Sequence, residues 1–526
     1  MYGICSLLRK AARYYPDRTA LADPSGAVSY AEFEDRTNRL ANSLIALGLG
    51  KGSRIGFVCD NCNEFSVMWF AAQKAGIVTV LLNYRMTREE LSRDVRRAGC
   101  RALFYAPKWR DIILGRDTSG SGVEHQITFG GVAPNGHLCL DELTASGSPE
   151  PPGVDICETD WSTILYTSGS TGLSKGVIRT QRMIYDYAMQ MAAEHEFYKT
   201  EHISILSHSP LFHTGGLSML LKSVALCGTY VGVNGVEPDV YAELIRKYSV
   251  TQLFLVPPVN IMRLYNDESF RRQSFGSVNF IWATGGKLST EYVQAMQELF
   301  PGVRIKTSYG GTEFCAACSM SLYFTRELLE QQPDIVDSAG WIGQFIDVRI
   351  VRDDGTEAAP GEPGELLVSS PFVMLGYLDD PGETGKVLHD GWYSTGDVFR
   401  IDERGLFFFL DRKSAMIKTG GENVYPNEVE SVLREHPDIV DCAVVGLPDP
   451  KWGEAVAAAV VPNSDSLDLR KVVAYTRQKL AGFKKPLYYT VLPDLPRMGS
   501  GKIDRRALLD EAKYRFTGID EICREL

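Results

Sequence analysis

Short apolar runs alternate with amphipathic, helix-like segments through the first 160 residues of the chain. The helix-like segments span residues 31–47, 64–75 and 87–98, and the apolar runs span residues 54–59, 77–82 and 102–105. Apolar runs of that length are typical of buried strands, whereas apolar positions that recur about every 3.6 residues indicate helices packed on one face. The alternation predicts parallel α/β units, and residues 1–21 predict an amphipathic first helix that leads into them.

The same pattern continues to about residue 310 and then changes. Further strand candidates lie at residues 162–166, 252–256, 278–283 and 303–308. Between residues 340 and 410 the apolar runs are short and are broken by Gly, Pro and Asp. That composition predicts a small unit of β-strands joined by turns.

The last part of the chain, after Arg412, has the pattern of a compact α+β domain. Its strand candidates lie near residues 416–418, 440–445 and 455–461, and its helix candidates lie near residues 426–435 and 467–480. Pro426 stands at the first position of one of these helices, where its fixed φ is favourable and its missing N–H is not needed.

Charge and hydropathy argue against some broad classes of function. The 526 residues carry a formal net charge of −11, and no cluster of Lys and Arg with interleaved aromatic residues is present in the sequence, which argues against nucleic-acid binding. The most apolar stretch, residues 217–233, is interrupted by Lys222 and therefore predicts a buried core element rather than a membrane span. The N-terminal segment lacks the unbroken apolar region of a signal peptide, so we expect a cytoplasmic protein without a transmembrane segment.

The segment YTSGSTGLSKGV, residues 166–177, carries the strongest chemical signal in the sequence. It follows an apolar run and precedes a predicted helix that starts near Thr180. Its notable positions are the hydroxyls of Thr167, Ser168, Ser170, Thr171 and Ser174, the glycines Gly169, Gly172 and Gly176, and the ammonium of Lys175. Amides, hydroxyls and one cation together suit an anion, so the loop predicts a phosphate site that is not a Walker A loop. The alternative is a polar surface linker.

Two segments further along the chain suggest a ligand and a metal ion. SPLFHTGGLS, residues 209–218, places His213 beside glycines that indicate close backbone approach to a ligand, although a lone histidine is more often structural. SYGGTE, residues 308–313, joins the Glu313 carboxylate to the Thr312 hydroxyl. That pair suits nucleotide-bound Mg²⁺, although the segment alone could be a turn.

Three more segments complete the series. YSTGD, residues 393–397, offers Asp397 as an acceptor for ribose hydroxyls, although it could also be an ordinary turn. DRKSAMIKTGGENVYPNEVE, residues 411–430, joins Arg412 to a Gly-Gly loop. PRMGSGKIDRRAL, residues 496–508, presents Lys502 after a Gly-Ser-Gly stretch, and position alone would leave that lysine a solvated surface charge.

In their order along the chain, these six segments resemble the motifs of the superfamily of adenylate-forming enzymes, which comprises acyl- and aryl-CoA synthetases, luciferases and peptide-synthetase adenylation domains. The resemblance extends from about residue 10 to about residue 510. It implies an α/β fold with a large N-terminal domain, residues 1–412, made of two α/β subdomains and a small β-barrel-like unit. It also implies a small, mobile α+β C-terminal domain, residues 413–526.

The resemblance implies a two-step ligase reaction that uses ATP, Mg²⁺ and coenzyme A. A carboxylate attacks the α-phosphate of MgATP to give acyl-AMP and pyrophosphate, and the thiol of coenzyme A then displaces AMP. Because carboxylate and triphosphate repel each other, we expect electrostatic stabilisation to dominate catalysis. The implied partners are a small carboxylic acid, ATP and CoA; a homodimer and a lysine acetyltransferase acting on Lys502 are left open.

The resemblance also implies a role for each nucleotide-binding residue. The implied set is Thr167, Ser168, Gly169, Ser170, Thr171, Gly172, Lys175, Gly285, Gly286, Ser308, Tyr309, Gly310, Asp397 and Arg412. The loop at 167–175 would hold the β- and γ-phosphates, Tyr309 would stack on adenine, and Asp397 with Arg412 would hold the ribose. The turn at Gly285–Gly286 would border both adenine and the acyl group.

The implied catalytic residues surround the reacting phosphate. Lys502 would bridge the carboxylate and the α-phosphate oxygens in the first step and then leave with its domain. Thr312 would contact the α-phosphate. Glu313, together with Thr167, would hold Mg²⁺.

The second step has its own implied residues. His213 resembles the gate between acyl pocket and thiol channel, and the loop at Gly420–Gly421 would approach the pantetheine arm. Relatives usually carry Asp or Lys at the hinge, where this chain has Ser414, followed by Ala415 in place of an acidic residue. Serine can take the required backbone angles, so we expect the domain to swing with an altered balance between the half-reactions.

The residue types near His213 bear on which acid is activated. Amino-acid-activating relatives keep an Asp there for the substrate ammonium, whose unpaired burial would be costly, whereas this chain has Phe212–His213–Thr214. The presumed pocket segments contribute Leu217, Met219, Trp282, Phe314 and Ala316, with no obvious cation for a second carboxylate. We predict an apolar monocarboxylate, with medium-chain fatty acids first and alicyclic or aryl acids next.

Three alternatives stay open at this point. An acyl-AMP ligase would load a carrier protein instead of CoA, and a luciferase-like enzyme would consume O₂. A non-catalytic relative would only bind nucleotide or acyl-AMP. Against the last, the chain keeps Lys175, Glu313, Asp397, Arg412 and Lys502.

Overall fold

The computed structural model divides the chain into two compact units. It describes residues 3–114, 122–167, 174–193, 202–464, 467–497, 503–510 and 513–523. The first unit comprises Met1–Val348 and Val368–Tyr393, and the second comprises Arg349–Leu367 and Ser394–Leu526. The boundary that the sequence places between residues 412 and 413 stays a prediction.

The strands are numbered in chain order. The first half of the series is β1 Thr19–Asp23, β2 Gly26–Ser29, β3 Arg54–Val58, β4 Val78–Leu81, β5 Ala102–Tyr105, β6 His125–Thr128, β7 Leu138–Cys139, β8 Trp161–Thr167, β9 Lys175–Thr180, β10 Ser204–Ser207, β11 Thr229–Gly232, β12 Gln252–Leu255, β13 Phe280–Ala283 and β14 Arg304–Gly311. The second half is β15 Cys315–Leu322, β16 Trp341–Ile342, β17 Asp347–Val351, β18 Gly364–Ser369, β19 Gly376–Tyr377, β20 Leu388–His389, β21 Trp392–Ile401, β22 Phe407–Arg412, β23 Ile417–Thr419, β24 Glu422–Val424, β25 Ile439–Asp449, β26 Gly453–Pro462, β27 Tyr488–Val491 and β28 Thr517–Gly518.

The α-helices are numbered in the same way. They are α1 Ile4–Tyr14, α2 Tyr30–Ala46, α3 Asn63–Lys74, α4 Arg88–Arg97, α5 Arg110–Leu114, α6 Leu140–Ser146, α7 Gln181–Ala193, α8 Thr214–Ala225, α9 Pro238–Lys247, α10 Val259–Asn266, α11 Glu268–Arg271, α12 Thr290–Leu299, α13 Arg326–Gln331, α14 Pro381–Val387, α15 Pro426–Arg434, α16 Leu469–Lys479 and α17 Ile519–Ile522.

Two large sheets with parallel centres form the framework of the first unit. Over the described residues, one has the strand order β16-β15-β14-β13-β12-β10-β11-β1-β2 and the other has the order β19-β9-β8-β4-β3-β5-β6-β7. The pairs from β10 to β14 and from β3 to β8 are parallel, as the alternating sequence pattern predicts.

Helices α2 and α3 pack against each other in the apolar core of this unit. A capping box starts α2: Glu32 N–H donates to Ser29 Oγ (3.2 Å), and Ser29 N–H donates to Glu32 Oε2 (2.8 Å). Phe33 of α2 then meets Phe70 of α3 edge to face, with ring centroids 5.1 Å apart. Both rings are fully buried, so this contact holds the helices in one orientation.

The second unit contains two smaller sheets. Strands β17, β18, β21 and β22 are successive neighbours in the first, which confirms the predicted β-strands of residues 340–410. The other has the order β24-β23-β26-β27-β28, with β25 paired to β26. Helices α15 and α16 pack on it through the buried side chains of Val429, Leu433, Val472 and Val473, so the predicted α+β architecture is confirmed.

Most predicted elements are confirmed, but the sequence analysis missed several strands, among them β1, β6, β9, β10 and β15. Helices α2, α3 and α4, and strands β3, β4 and β5, lie within a few residues of the predicted ranges. The predicted helix near Thr180 is α7, which begins at Gln181, but strand β9 precedes it. The apolar stretch at 217–233 is divided between α8 and β11. In the described part of the chain, no helix is both long and apolar enough to cross a membrane.

Candidate active site

The glycine- and hydroxyl-rich loop joins two antiparallel strands. Strands β8 and β9 pair so that Thr167 lies opposite Lys175 and Tyr166 lies opposite Gly176. The loop therefore leads into a strand instead of opening a helix. Its predicted phosphate ligands Ser168, Gly169, Ser170, Thr171 and Gly172 lie outside the described residues.

The far end of this loop is fixed by a buried carboxylate. Ser174 Oγ donates a hydrogen bond of 2.6 Å to Asp94 Oδ2, and Asp94 is fully buried on α4. Because Asp94 accepts the hydroxyl proton, the structure gives Ser174 an anchoring contact and not a phosphate contact. Among the hydroxyl-bearing residues of this loop, Ser174 therefore has a structural role.

Lys175 lies against a carboxylate that the sequence reading missed. Its Nζ lies 2.5 Å from Glu383 Oε2 and 5.0 Å from the centroid of the Tyr377 ring. Hydrogen bonds from Lys175 and then Lys386 lower the pKa of Glu383 to about 2. Glu383 is consequently ionised at neutral pH and is the nearest counter-ion to the predicted phosphate ligand.

Tyr377 connects this lysine to the predicted magnesium ligand. Its hydroxyl donates to Glu313 Oε1 at 3.0 Å, while its ring lies under the Lys175 ammonium. Burial, followed by the nearby Glu313 charge, raises the pKa of Tyr377, so the phenol stays a proton donor. Strand β19 places it there by pairing Tyr377 with Val177 of β9. The structure therefore brings Lys175 and Glu313 into one cluster.

The SYGGTE segment ends strand β14 and enters the tight turn, residues 312–314, that leads to β15. A Cβ on Gly310 would lie 1.9 Å from the Cys315 carbonyl oxygen, so only glycine fits there. The turn is tethered to β9, because the buried guanidinium of Arg179 donates to the Thr312 carbonyl oxygen and, at 2.9 Å, to that of Phe372. The hydrogen bond from Arg179 to the backbone of Thr312 thus helps to fix the positions of Thr312 and Glu313.

Aromatic rings line up beside this turn. The centroid of Phe314 lies 5.6 Å from that of Tyr309 and 5.4 Å from that of Tyr393. Tyr309 is partly exposed at one end of the row. A flat face at that position can stack on a nucleobase.

The Gly285–Gly286 turn lies next to the start of the SYGGTE segment. Gly285 has a φ of +87°, and a Cβ on Gly286 would lie 2.4 Å from the Pro257 carbonyl oxygen. Just before the turn, Trp282 Nε1 donates to Ser308 Oγ at 3.0 Å. The structure thus brings the two predicted adenine-bordering segments together.

The glycines beside His213 serve packing. A Cβ on Gly216 would lie 2.2 Å from the Pro210 carbonyl oxygen, and one on Gly215 would lie 3.2 Å from Phe254 Cζ. At both Cα positions the nearest neighbours are atoms of the protein itself, and close approach of a ligand to these glycines stays a prediction. His213 is exposed at the N-cap of α8, and its backbone carbonyl accepts from Leu217 N–H.

In the second unit, Asp397 and Arg412 form an ion pair. They lie opposite each other on β21 and β22, and Arg412 Nε is 2.7 Å from Asp397 Oδ1. The Asp397 side chain is 5% exposed, while that of Arg412 is 61% exposed. The two predicted ribose ligands are therefore neighbours, with one edge of the pair open to solvent.

The predicted hinge and the Gly-Gly loop also lie in the second unit. Ser414 lies in a single 3₁₀ turn that spans Lys413–Ala415. The predicted CoA-binding glycines form the tight turn between β23 and β24, with φ of +58° at Gly420 and +86° at Gly421. Lys502 lies outside the described residues.

Two buried lysines lie near Trp282, one of the residues that the sequence analysis assigns to the acyl pocket. Lys306 Nζ lies 4.4 Å and Lys222 Nζ lies 5.5 Å from the Trp282 ring centroid. Lys222 Nζ also donates to Gln252 Oε1 at 2.8 Å. Sequence reasoning missed this cluster because its members come from α8, β12, β13 and β14, which no local pattern connects.

Comparisons with known proteins agree with the motifs. The profile described as "AMP-binding enzyme" matches residues 8–378, and that described as "AMP-binding enzyme C-terminal domain" matches residues 428–502. The feruloyl-CoA synthase of an Amycolatopsis species is 33% identical over 98% of this chain and 99% of its own length. The long-chain-fatty-acid–CoA ligase FadD13 of Mycobacterium tuberculosis is 30% identical over 97% of this chain and 99% of its own length.

A solved structure extends the likeness to the fold. The o-succinylbenzoate CoA synthetase MenE from Bacillus subtilis, in complex with its acyl-adenylate intermediate, superposes with a TM-score of 0.81 at 29% identity. The match covers 96% of this chain and 98% of that one, and the same enzyme has been solved with ATP and a magnesium ion. The chain therefore belongs to the family of AMP-binding enzymes, as an acid–thiol ligase that uses ATP, Mg²⁺ and CoA and works through an acyl-adenylate.

Proposed function

We propose that the residues around Lys175 and Glu313 are the triphosphate site of this ligase. The observation that carries the proposal is one run of contacts: Lys175 Nζ lies over the Tyr377 ring, and the Tyr377 hydroxyl donates to Glu313. It sets a cation suited to phosphate oxygens beside a carboxylate suited to a metal ion. The loop at 167–175 would hold the β- and γ-phosphates.

The donors near Glu313 fit Mg²⁺. A carboxylate oxygen is the hard ligand that this ion prefers. Among the described residues, no group of three or more His, Cys, Asp or Glu side chains could hold a metal ion alone, so phosphate and water oxygens would complete the coordination. Glu313 and Thr167 would hold the ion, which would neutralise charge on the triphosphate when bound.

The rest of the first unit's site would position the base and the reacting phosphate. Tyr309 would stack on adenine, with Gly310 allowing close approach of the backbone. Ser308 and the turn at Gly285–Gly286 would border the base. Thr312 would contact the α-phosphate from a turn that Arg179 holds in place.

Asp397 and Arg412 would be the ribose ligands, and Lys502 would be the mobile catalytic group. The Asp397 carboxylate can accept hydrogen bonds from both ribose hydroxyls, and its ion pair with Arg412 would orient it. Lys502 would supply the ammonium that stabilises charge as the carboxylate attacks the α-phosphate. Gly420 and Gly421 would approach the pantetheine arm in the second half-reaction.

The acid itself has an apolar body in this proposal. Buried apolar side chains of Phe212, Leu217, Met219, Phe254 and Trp282 lie along α8 and the sheet strands next to it. The named relatives act on an aryl acid and on long-chain fatty acids. Medium-chain fatty acids stay the first candidate substrates, with alicyclic or aryl acids next. His213 would lie at the passage between acid and thiol.

Exchange of labelled pyrophosphate into ATP tests the first half-reaction without any assumption about the acceptor. We expect exchange with at least one acid in a panel of fatty, alicyclic and aryl acids, followed by CoA-dependent release of AMP. Exchange with no acid would overturn the proposal. Formation of acyl-carrier protein without acyl-CoA would favour the carrier-loading alternative.

Regulation and assembly form the last part of the proposal. Acetylation of Lys502 would remove its charge and stop adenylation, and mass spectrometry of protein from the native host would detect it. Never finding the modified lysine under any growth condition would count against this switch. Sedimentation would show whether the chain forms a homodimer, and microscopy of tagged protein would check its predicted cytoplasmic location.

A further inference from the structure

A single carboxylate in the second unit contacts a neighbour of each proposed ribose ligand. Glu365 Oε1 accepts a hydrogen bond of 3.3 Å from Gly396 N–H, and Gly396 precedes Asp397. Glu365 Oε2 accepts a hydrogen bond of 3.0 Å from Lys413 Nζ, and Lys413 follows Arg412. Glu365 therefore contacts residues next to both members of the ion pair that β21 and β22 carry.

Strand β18 places this carboxylate beside the ribose segment, residues 395–397. β18 is the neighbour of β21 in its sheet, and Glu365 is the second residue of β18. Next to it, the Leu366 carbonyl oxygen accepts a hydrogen bond of 2.8 Å from Thr395 Oγ1, which itself accepts one of 3.1 Å from Asp397 N–H. Two consecutive residues of β18 thus hold the two residues directly before Asp397.

The backbone at Gly396 needs such contacts to keep its conformation. Its φ of +70° lies in the left-handed region, which glycine adopts at no steric cost but as only one of many accessible conformations. The charged oxygen of Glu365 is a stronger acceptor for the Gly396 N–H than a neutral carbonyl oxygen would be. The Glu365 side chain is 18% exposed and therefore partly shielded from competing water. Because the backbone angles of Gly396 set the direction of the next residue, this contact bears on where the Asp397 carboxylate lies.

The ion pair between Glu365 and Lys413 contributes less to this arrangement. The Lys413 side chain is 43% exposed, and its Nζ is shared with Asp353 Oδ1, which lies 3.1 Å away. Solvent screens exposed ion pairs, so they add little to the stability of one geometry. The contact with the Gly396 N–H is therefore the one that can position a ribose ligand.

We propose that Glu365 is a positioning residue for ATP, which holds the Gly396 N–H and thereby directs the Asp397 carboxylate at the ribose hydroxyls. In this role Glu365 acts through Asp397 and does not contact the nucleotide. The inference rests on the proposed function, because it takes Asp397 as the ribose ligand. It adds a residue that lies outside all six of the sequence motifs.

A nucleotide without ribose hydroxyls reports on this role directly. ATP is compared with 2′,3′-dideoxy-ATP by kcat/KM for acid-dependent pyrophosphate exchange, and the ratio of the two values is the ribose preference. Because both values come from one protein preparation, the ratio does not depend on how much of the protein is folded. Glu365→Met should lower the ribose preference by about tenfold or more, since ATP loses well-directed hydrogen bonds that the dideoxy analogue never makes.

Two further variants separate the contacts of Glu365. Glu365→Gln keeps an amide oxygen that can accept from the Gly396 N–H, so it should retain the ribose preference to within about threefold. Lys413→Met removes the ion pair alone and should retain the preference as well. Glu357→Met is the matched control, because Glu357 is an exposed glutamate of the same unit and is paired with Arg349 at 2.6 Å.

Four outcomes would contradict the inference. An unchanged ribose preference in Glu365→Met would show that the Thr395 contacts hold the ribose segment alone. Equal losses of kcat/KM for both nucleotides would assign Glu365 a purely structural role. A loss of preference in Glu365→Gln or Lys413→Met as large as that in Glu365→Met would exclude the Gly396 contact as the cause. Equal use of the two nucleotides by the unaltered enzyme would instead defeat the proposed ribose site, and the inference with it.

Discussion

Lys175 Nζ lies 2.5 Å from Glu383 Oε2, so a carboxylate of the protein contacts the cation that we propose as a phosphate ligand. Lys386 contacts the other oxygen of the same carboxylate. A phosphate oxygen of ATP and Glu383 would therefore compete for one ammonium group. If the triphosphate binds at Lys175 as proposed, it would displace Glu383 from that lysine or lie beside it as a second anion.

Removing the Glu383 charge should strengthen nucleotide binding. We expect Glu383→Gln to lower the KM for ATP by about fivefold with little change in kcat, because the amide no longer repels the triphosphate. Steady-state kinetics at saturating acid and CoA measure this effect. Glu268→Gln, which removes an exposed carboxylate paired with Arg272, is the control, and a raised KM for Glu383→Gln would contradict the competition.

The lowered pKa of Glu383 predicts how the effect of Glu383→Gln on the KM for ATP depends on pH. The pKa of Glu383 is about 2, below that of an unfolded glutamate at about 4.3. A depressed pKa means that the Lys175–Glu383 pair is fully present above the unfolded value and is lost as the pH falls towards 2. The KM for ATP of the unaltered enzyme should therefore exceed that of Glu383→Gln by about the same fivefold at every pH between 6 and 8.

Loss of the Tyr377 hydroxyl should weaken the binding of Mg²⁺. Its hydrogen bond to Glu313 fixes the orientation of that carboxylate, and hydrogen bonds to charged groups contribute about 1.5–3 kcal/mol. We expect Tyr377→Phe to raise the Mg²⁺ concentration needed for half-maximal pyrophosphate exchange by about tenfold. Tyr323→Phe, at an exposed tyrosine, should leave the Mg²⁺ titration unchanged, and an unchanged titration in Tyr377→Phe would remove Tyr377 from the metal site.

Local sequence patterns predicted most of the framework for a physical reason. Strands β4 and β5 lie in the middle of a parallel sheet, and every residue of both is buried. Their burial therefore appears in the sequence as apolar runs that only Thr79 interrupts. Strand β9 has no such run: Lys175 and Arg179 interrupt it, and their partners Glu383 and Thr312 are far away in the chain. Its strand conformation is set by pairing with β8 and β19.

The candidate site was predictable only as far as its motifs are contiguous. Glu313 and Lys175 belong to short motifs, and contacts with Tyr377 bring the two residues into one cluster. Tyr377 and Glu383 lie in GYLDDPGETGK, residues 376–386, where composition indicates only turns. Their importance depends on the pairing of β19 with β9, which is a long-range event that no window of sequence contains.

Gly310 should tolerate no side chain. A Cβ at this position would lie 1.9 Å from the Cys315 carbonyl oxygen, and backbone cannot move aside as a flexible side chain can. We expect Gly310→Ala to lower the free energy of unfolding by about 2 kcal/mol, measured by denaturant unfolding. Gly276→Ala is the control, since a Cβ there meets nothing within 4 Å; equal stability of the two variants would show that the turn can relax.

Replacement of Asp397 should raise the KM for ATP more than the KM for the acid. Asp397→Ala removes the acceptor for the ribose hydroxyls and leaves Arg412 without its ion-pair partner. We expect the KM for ATP to rise by about tenfold or more, since a lost hydrogen bond to a charged group costs about 1.5–3 kcal/mol, while the KM for the acid changes little. Initial rates over a grid of both substrates separate the two. An unchanged KM for ATP would remove Asp397 from the ribose site.

Lys502 should be needed in one half-reaction only. The resemblance places its ammonium at the reacting carboxylate and α-phosphate oxygens during adenylation, and not at the thiol during transfer. We expect Lys502→Ala to lower the rate of pyrophosphate exchange by about a hundredfold or more, because the charge that develops on the phosphate would lose the cation that the resemblance assigns to it. Release of AMP from supplied acyl-AMP and CoA should stay near the rate of the unaltered enzyme. Lys513→Ala, at an exposed lysine in the same unit, should affect neither half-reaction. Equal losses in both half-reactions for Lys502→Ala would reject the assigned role, since a lysine confined to adenylation cannot slow the attack of the thiol.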